Sequence, residues 1–280
     1  NSSILSPCIY LKGKGGVSTI QNVDSQFSDS YYNDGIYLEE STVSTLPLKG
    51  IELITRERPS MVLQGFGGEI RVEGDVPFAR GDLNSGVVLW DVDFIGASSS
   101  RIFGYAGKPP KGNLNTGVEI RNDSNLRFIS DPGFDGPAVS LFGKAFSGND
   151  KNTAVKIKDS QLSSPFADLK VVGKGAKQSD GRLNQGVRLI DTSVAVGDSN
   201  HTEQHDFFLA GYGGRGNRSN SGVYVKGKSQ TQRFDVTGSI FVKGKIREDE
   251  WRKHPSVFIN NVRLSAGENL NLIADRSVKL

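Results

Sequence analysis
The chain has one cysteine, one methionine and two tryptophans in 280 residues. A single cysteine excludes an internal disulfide framework, so any core must be held by packing and hydrogen bonds. Cys8 itself reads as a small buried apolar residue. No apolar run reaches the roughly 18 residues that a membrane-spanning helix needs, so no membrane span is expected. The opening Asn1-Ser2-Ser3-Ile4 has neither an initiator Met nor a basic-then-apolar signal, which reads as the start of an excised or processed fragment. An excess of one charge is also lacking: 34 Lys and Arg face 31 Asp and Glu, a net +3. That excludes a polyelectrolyte tail and leaves any charged partner to be met by a local patch. With no nucleic-acid motif either, DNA and RNA are not expected as partners. Period-3.6 apolar patterns longer than a turn are missing, apart from a helix-like stretch at Arg247 to Lys253, which argues against α/β crossovers and barrels.

What is plentiful is glycine, 34 residues of it, set in a repeat. The phrase Asn-x-Gly-Val-x-apolar occurs at Asn84, Asn115, Asn184 and Asn220, with weaker copies at Asn33, Asn152 and His254. Aligned on the Val, it gives one apolar column of Ile36, Val87, Val118, Val155, Val187, Val223 and Val257. Two residues later comes a second, Leu38, Leu89, Ile120, Ile157, Leu189, Val225 and Ile259. Four residues after the Val stand Glu40, Asp91, Asn122, Asp159, Asp191, Gly227 and Asn261, mostly short side chains that bond their own backbone, so a turn is expected to end the strand there.

A second phrase, apolar-x-Gly, aligns Leu11, Leu63, Ile102, Leu141, Val171, Leu209 and Val242, each followed two residues on by Gly. Between the phrases runs a less regular strand, as at Val92 to Ile95, Leu126 to Ile129, Ser193 to Val196 and Phe234 to Val236. Three strands per unit, at a period of about 34 residues, make one triangular coil plus a long polar loop. The expectation is therefore an all-β, right-handed parallel β-helix of about seven coils, with long loops projecting from one edge. The whole of 1–280 reads as a single β-helix segment of a larger protein, with an insertion at about 24–58 and a plainer repeat beginning at about 264.

The Asn-x-Gly-Val units with their Gly-x-Gly loops, closing on Ala266-Gly267-Glu268-Asn269-Leu270-Asn271-Leu272-Ile273-Ala274-Asp275, resemble filamentous haemagglutinin-like two-partner-secretion exoproteins. Within that family the long irregular loops look most like the Haemophilus high-molecular-weight adhesins and the haemopexin-binding exoprotein. The resemblance covers nearly all of the chain and implies secretion through an outer-membrane transporter partner and a β-helical rod outside the cell. It implies a secreted or cell-surface location and a non-enzymatic adhesin, and it is unspecific about the ligand. No ligand motif of the family is short enough to transfer residue by residue.

Site candidates follow from the loops. Lys108 and Lys111, Lys144 and Lys151, Lys174, Lys177 and Arg182, Arg215 and Arg218, then Lys245, Arg247, Arg252 and Lys253 bring basic charge coil after coil. In register, they form a positive stripe suited to sialylated or sulfated host glycans, with Tyr105 and Tyr212 offering stacking faces. The bland reading is a solubilising fringe. Other readings stand beside it. Haemopexin or host-protein capture would use the 24–58 segment. A polysaccharide-cleaving β-helix would use Asp91 with Asp93 or Asp131 with Asp135, although these lie in turn sequences. A passive stalk would bind nothing. The string His201-Thr202-Glu203-Gln204-His205-Asp206 contains metal-ligand types but lacks a metal-site spacing, so neither metal nor cofactor is expected. Sequons at Asn1, Asn122, Asn200 and Asn217 are candidate glycosylation positions, with Asn122 constrained by its turn.

Overall fold
In the computed structural model, residues 2–6, 8–15, 17–20, 28–31, 34–45, 60–66, 69–72, 79–82, 84–96, 100–107, 113–129, 139–146, 150–176, 181–214, 220–228, 232–246 and 255–280 are described. These residues form β-strands and turns without a helix. The helix-like stretch at 247–253 lies outside them.

The repeat columns are physical contacts. In one sheet of twelve strands, Ile36, Val87, Val118, Val155, Val187, Val223 and Val257 are successive parallel partners, and so are Leu38, Leu89, Ile120, Ile157, Leu189, Val225 and Ile259. In a second sheet of eight strands, Leu11, Leu63, Ile102, Leu141, Val171, Leu209 and Val242 pair in the same way. The eighth strand, Leu270–Ala274, pairs with Ile240–Ile246 and lies within the stretch, from about 264, expected to be plainer. Parallel in-register stacking places like on like, so one apolar residue per unit becomes one continuous buried stripe. Leu63, Leu89, Ile102, Ile120, Leu141 and Ile157 are fully buried in one core cluster.

The turn column is a corner. Glu40, Asp91, Asn122, Asp159, Asp191 and Asn261 all have φ between 43° and 55°, the left-handed region that short polar residues tolerate best. Strands Ile36–Thr45, Val87–Gly96, Val155–Ser164 and Val187–Val196 run straight through it, so there the expected strand terminus is instead a bend, whereas Val118–Arg121, Val223–Lys226 and Val257–Asn260 end just before it as expected. A hydroxyl just beyond the corner secures it: Ser41, Ser160 and Thr192 donate to the carbonyls of Glu39, Lys158 and Ile190 at 2.6, 2.7 and 3.1 Å. Past the corner a third buried column, Val43, Phe94, Leu126, Leu162, Val194 and Phe234, closes the core. The less regular strand read between the two phrases is this one.

The Asn of the repeat phrase is interior as well. The backbone N–H groups of Asn84, Asn115, Asn152 and Asn184 donate to Oδ1 of Asn115, Asn152, Asn184 and Asn220 at 2.8, 3.0, 3.0 and 2.8 Å. A glycine is required opposite. A Cβ on Gly104 would lie 1.8 Å from the carbonyl oxygen of Gly117, and one on Gly143 would lie 1.9 Å from that of Ala154.

Within the expected insertion, Ile36–Thr45 is a regular member of the twelve-stranded sheet, paired with Val87–Gly96. Ser28–Tyr31 pairs with Ala79–Asp82, and Val17–Ile20 with Glu69–Val72, so these two loop segments also stack in parallel. Residues 46–59 lie outside the described residues.

A candidate polyanion-binding face
Burial alternates along the strands of the eight-stranded sheet other than Leu270–Ala274, as in Val139–Lys144, where Val139, Leu141 and Gly143 are buried and Ser140, Phe142 and Lys144 are not. Register therefore fixes what faces outward. One outer column is Lys14, Phe66, Tyr105, Lys144, Lys174, Tyr212 and Lys245. The next is Lys12, Gln64, Phe103, Phe142, Val172, Ala210 and Lys243, and the third is Tyr10, Val62, Arg101, Ser140, Lys170, Phe208 and Phe241. Among the described residues of these three columns there is no Asp or Glu. The face is about 34 Å tall if eight strands sit at about 4.8 Å.

Its aromatic and basic side chains are organised by the ladder. Phe66 and Tyr105 stack with centroids 4.8 Å apart and planes 7° from parallel, and Phe208 and Phe241 do the same at 4.8 Å and 4°. Phe142 is tilted against Tyr105 at 6.1 Å. Ammonium groups rest on rings: Lys144 lies 4.7 Å from the centre of Phe146, Lys174 lies 5.6 Å from Phe142, and Lys12 lies 6.0 Å from Phe66. No described carboxylate pairs with them.

Of the residues expected to make a basic loop stripe, Tyr105, Lys144, Lys174, Tyr212 and Lys245 thus fall in one in-register column, but on a sheet face. One face of Tyr105 is taken by Phe66, so it is not the open stacking platform expected, whereas no described ring covers Tyr212. Lys151 and Arg182 sit apart, on the return arm of the loops. There Lys151 has φ 58°, and Arg182 is ion-paired with Asp150 at 3.5 Å. Lys108, Lys111, Lys177, Arg215, Arg218, Arg247, Arg252 and Lys253 lie outside the described residues. Sequence reasoning missed Arg101, Phe142, Lys170, Phe208, Phe241 and Lys243. Their signal was the alternation itself, once the apolar column had fixed which positions point out.

The other outer faces include carboxylates, although on the Asn-Gly-Val strands Tyr224 and Phe258 also stack, at 4.8 Å and 9°, with Arg188 over Tyr224 at 5.3 Å. Beyond the corner, the outer positions include Asp93, Asn125, Gln161, Ser193 and Arg233, with neither aromatics nor a single sign of charge. On the Asn-Gly-Val strands, Glu119 is buried between Lys156 at 2.8 Å and Arg121 at 3.3 Å, and Arg121 lies 3.8 Å over the Trp90 ring, so that charge is internally balanced. Asp91 and Asp93, candidates for glycan cleavage, are exposed at the corner and line an open cavity of about 280 Å³ with Glu40, Ser41 and Thr42. Asp131 and Asp135 lie outside the described residues.

The His201 to Asp206 string is drawn apart. His201 faces Asp198 at 3.7 Å, His205 faces Asp168 at 4.0 Å, and Asp206 accepts from the Ser239 N–H at 2.6 Å. Among the described residues no group of three His, Cys, Asp or Glu side chains is placed to hold a metal ion. Of the sequons, Asn200 is exposed and bonded to Asp198, Asn122 is at the corner with φ 55°, and Asn1 and Asn217 are outside the described residues. No described helix is long and apolar enough to cross a membrane. Comparison with protein-family models, with curated proteins and with solved structures gave no match.

Proposed function
We propose that the chain is a segment of a secreted or surface-held bacterial adhesin rod, a right-handed parallel β-helix that binds acidic host glycans and performs no chemistry on them. The resemblance to filamentous haemagglutinin-like exoproteins supports the rod and the export route through an outer-membrane transporter. The observation that carries the binding reading is the outer face of the eight-stranded sheet, where Lys12, Arg101, Lys144, Lys170, Lys174 and Lys243 share a surface with no carboxylate among its described residues. An arrangement meant only for solubility would intersperse both signs, since a single-sign field attracts counter-ions and partners.

The test is binding of the purified chain to sialylated, sulfated and neutral glycans at two salt concentrations. Acidic glycans are expected to bind in a salt-sensitive way, and Lys144→Ala with Lys174→Ala is expected to weaken them while neutral glycans stay unbound. Absence of binding to every acidic glycan would overturn the proposal.

A further inference from the structure
We propose that the outer face of the eight-stranded sheet docks the acidic corner of a second copy of this chain, so that molecules associate side by side. The inference does not depend on the adhesin reading, although the two share lysines.

The corner supplies the opposite sign of charge. Glu39 and Glu40 stand on one rung, Asp91 and Asp93 on the next and Asp123 on the one after, and all five are exposed. Among the described residues none of the five is in an ion pair, whereas Asp159 and Asp191, further along the same column, are held by Lys158 and Lys228. Like charges on neighbouring strands repel, and the stack fixes them side by side, so this stretch of the corner gains from cations brought from outside. The open cavity of about 280 Å³ between Glu40, Ser41, Thr42, Asp91 and Asp93 is several times the roughly 30 Å³ share of one water, which is room for a lysine head. Tyr37 is exposed on the strand that carries Glu39 and adds a ring beside the carboxylates.

The sheet face presents the complement. Lys170 and Lys174 share one rung and Lys144 stands on the adjacent one, with Phe142 and Val172 also facing outward. Both arrays repeat at the same interval, about 4.8 Å per rung, so two copies with aligned axes bring ammonium and carboxylate groups into step over neighbouring rungs. The backbone ladder sets these spacings before the copies meet, which lowers the cost of ordering them. The uncovered ring of Tyr212, on the rung next to Lys174, offers Tyr37 an aromatic partner.

Placement decides the kind of assembly. Strands bend at the corner from one side of the coil to the next, and the eight-stranded sheet forms the remaining side, so the acidic corner lies across the core from the basic face. Two copies therefore cannot exchange both contacts, and each pair keeps one basic face and one acidic corner free for further copies. Association is open-ended and, being made by exposed charges, weakens with salt.

The experiment is sedimentation velocity of the full chain, without glycan, at low and high salt. Wild type is expected to form species larger than a dimer at low salt, with association weakened by about tenfold or more at high salt. A basic-face variant carries Lys144→Ala, Lys170→Ala and Lys174→Ala, and a corner variant carries Glu39→Gln, Asp91→Asn and Asp93→Asn, with both folds checked by circular dichroism. Each alone should be monomeric. Mixed in equal amounts they should form one-to-one complexes and nothing larger, since each keeps the surface that the other lacks, a result that misfolded variants would not give. Monomeric wild type at low salt, association indifferent to salt, association of either variant alone, or no complex in the mixture would each overturn the inference. With no glycan in the cell, its failure and that of the adhesin reading are separate results.

Discussion
Asn152 is buried in the middle of a ladder in which each Asn backbone N–H is satisfied by the side chain of the next rung. An alanine there removes Oδ1 and leaves the Asn115 N–H without its acceptor in a place water does not reach. Orphaning a buried donor costs about 1–3 kcal/mol. Asn152→Ala is therefore expected to lower the unfolding free energy in urea by about 2 kcal/mol, and a loss below about 0.5 kcal/mol would show that the ladder is incidental. A second residue-scale effect is electrostatic. Burial is the main cause pushing the Asp34 carboxyl up to about 6, opposed by the hydrogen bond it accepts from the Ser85 N–H at 2.7 Å, with the Glu119 charge adding to the upward push. In this raised acid the folded state binds the proton more tightly than the unfolded chain does. Stability is thus greatest below the ordinary carboxylate range, falls as pH rises from about 4 to about 6, and stays lowered above it. Asp34→Asn keeps the acceptor for Ser85 and removes the charge. It should raise stability at pH 7.5 by on the order of 1–2 kcal/mol after allowance for solvent screening, and flatten the slope between pH 4 and 7, as measured by thermal unfolding across pH.

At the scale of the strand, the interior glycines mark where the eight-stranded sheet meets the Asn-Gly-Val turn. Gly143 faces the Ala154 carbonyl so closely that a methyl group cannot enter without moving backbone. Gly143→Ala should cost about 3 kcal/mol or more, at the top of the range for overpacking, and should reduce soluble yield. The same substitution at exposed Lys174 should be nearly neutral for stability, within about 0.5 kcal/mol. This contrast explains what the sequence made legible. Val118 pairs with both Val87 and Val155, so a column in the alignment is a column in space, and the core and the position of the corner could be read directly. The outer face could not, because Arg101, Ser140, Lys170, Phe208 and Phe241 share a position without sharing a residue type. Outward positions are constrained by solvent rather than by packing, and they show a pattern only when sign of charge and aromaticity are followed across rungs. The basic residues were accordingly assigned to the polar loops, while Lys144 and Lys174 end strands of the sheet. Likewise the Asn of the repeat was visible in four strong copies, but a buried ladder and a solvent-facing turn use the same residue.

For the whole molecule, stability should be a sum over rungs and their interfaces, because each rung touches mainly the ones above and below. Removing one period in phase should therefore shorten the stack without destroying it. Deletion of residues 155–186 joins Ala154 to Val187, bringing Val187 under Val118 and Phe207 under Val139, with the apolar and glycine columns intact. The loss of Lys156 leaves Glu119 with Arg121 alone and a new neighbour in Arg188, which preserves its neutralisation. Deleting 155–168 instead removes Val155–Ser164 and retains Leu169–Lys174, which puts the faces out of phase and exposes apolar columns. The in-phase deletion is expected to keep the far-ultraviolet circular dichroism of a β-stack and cooperative unfolding, with a scattering envelope shorter by about 4.8 Å. The out-of-phase deletion should aggregate. Because the in-phase deletion also removes Lys170 and Lys174 from the binding face, it should weaken acidic-glycan binding as well. If both deletions unfold alike, the stack behaves as one indivisible unit, and the nearest-neighbour account of its stability is wrong.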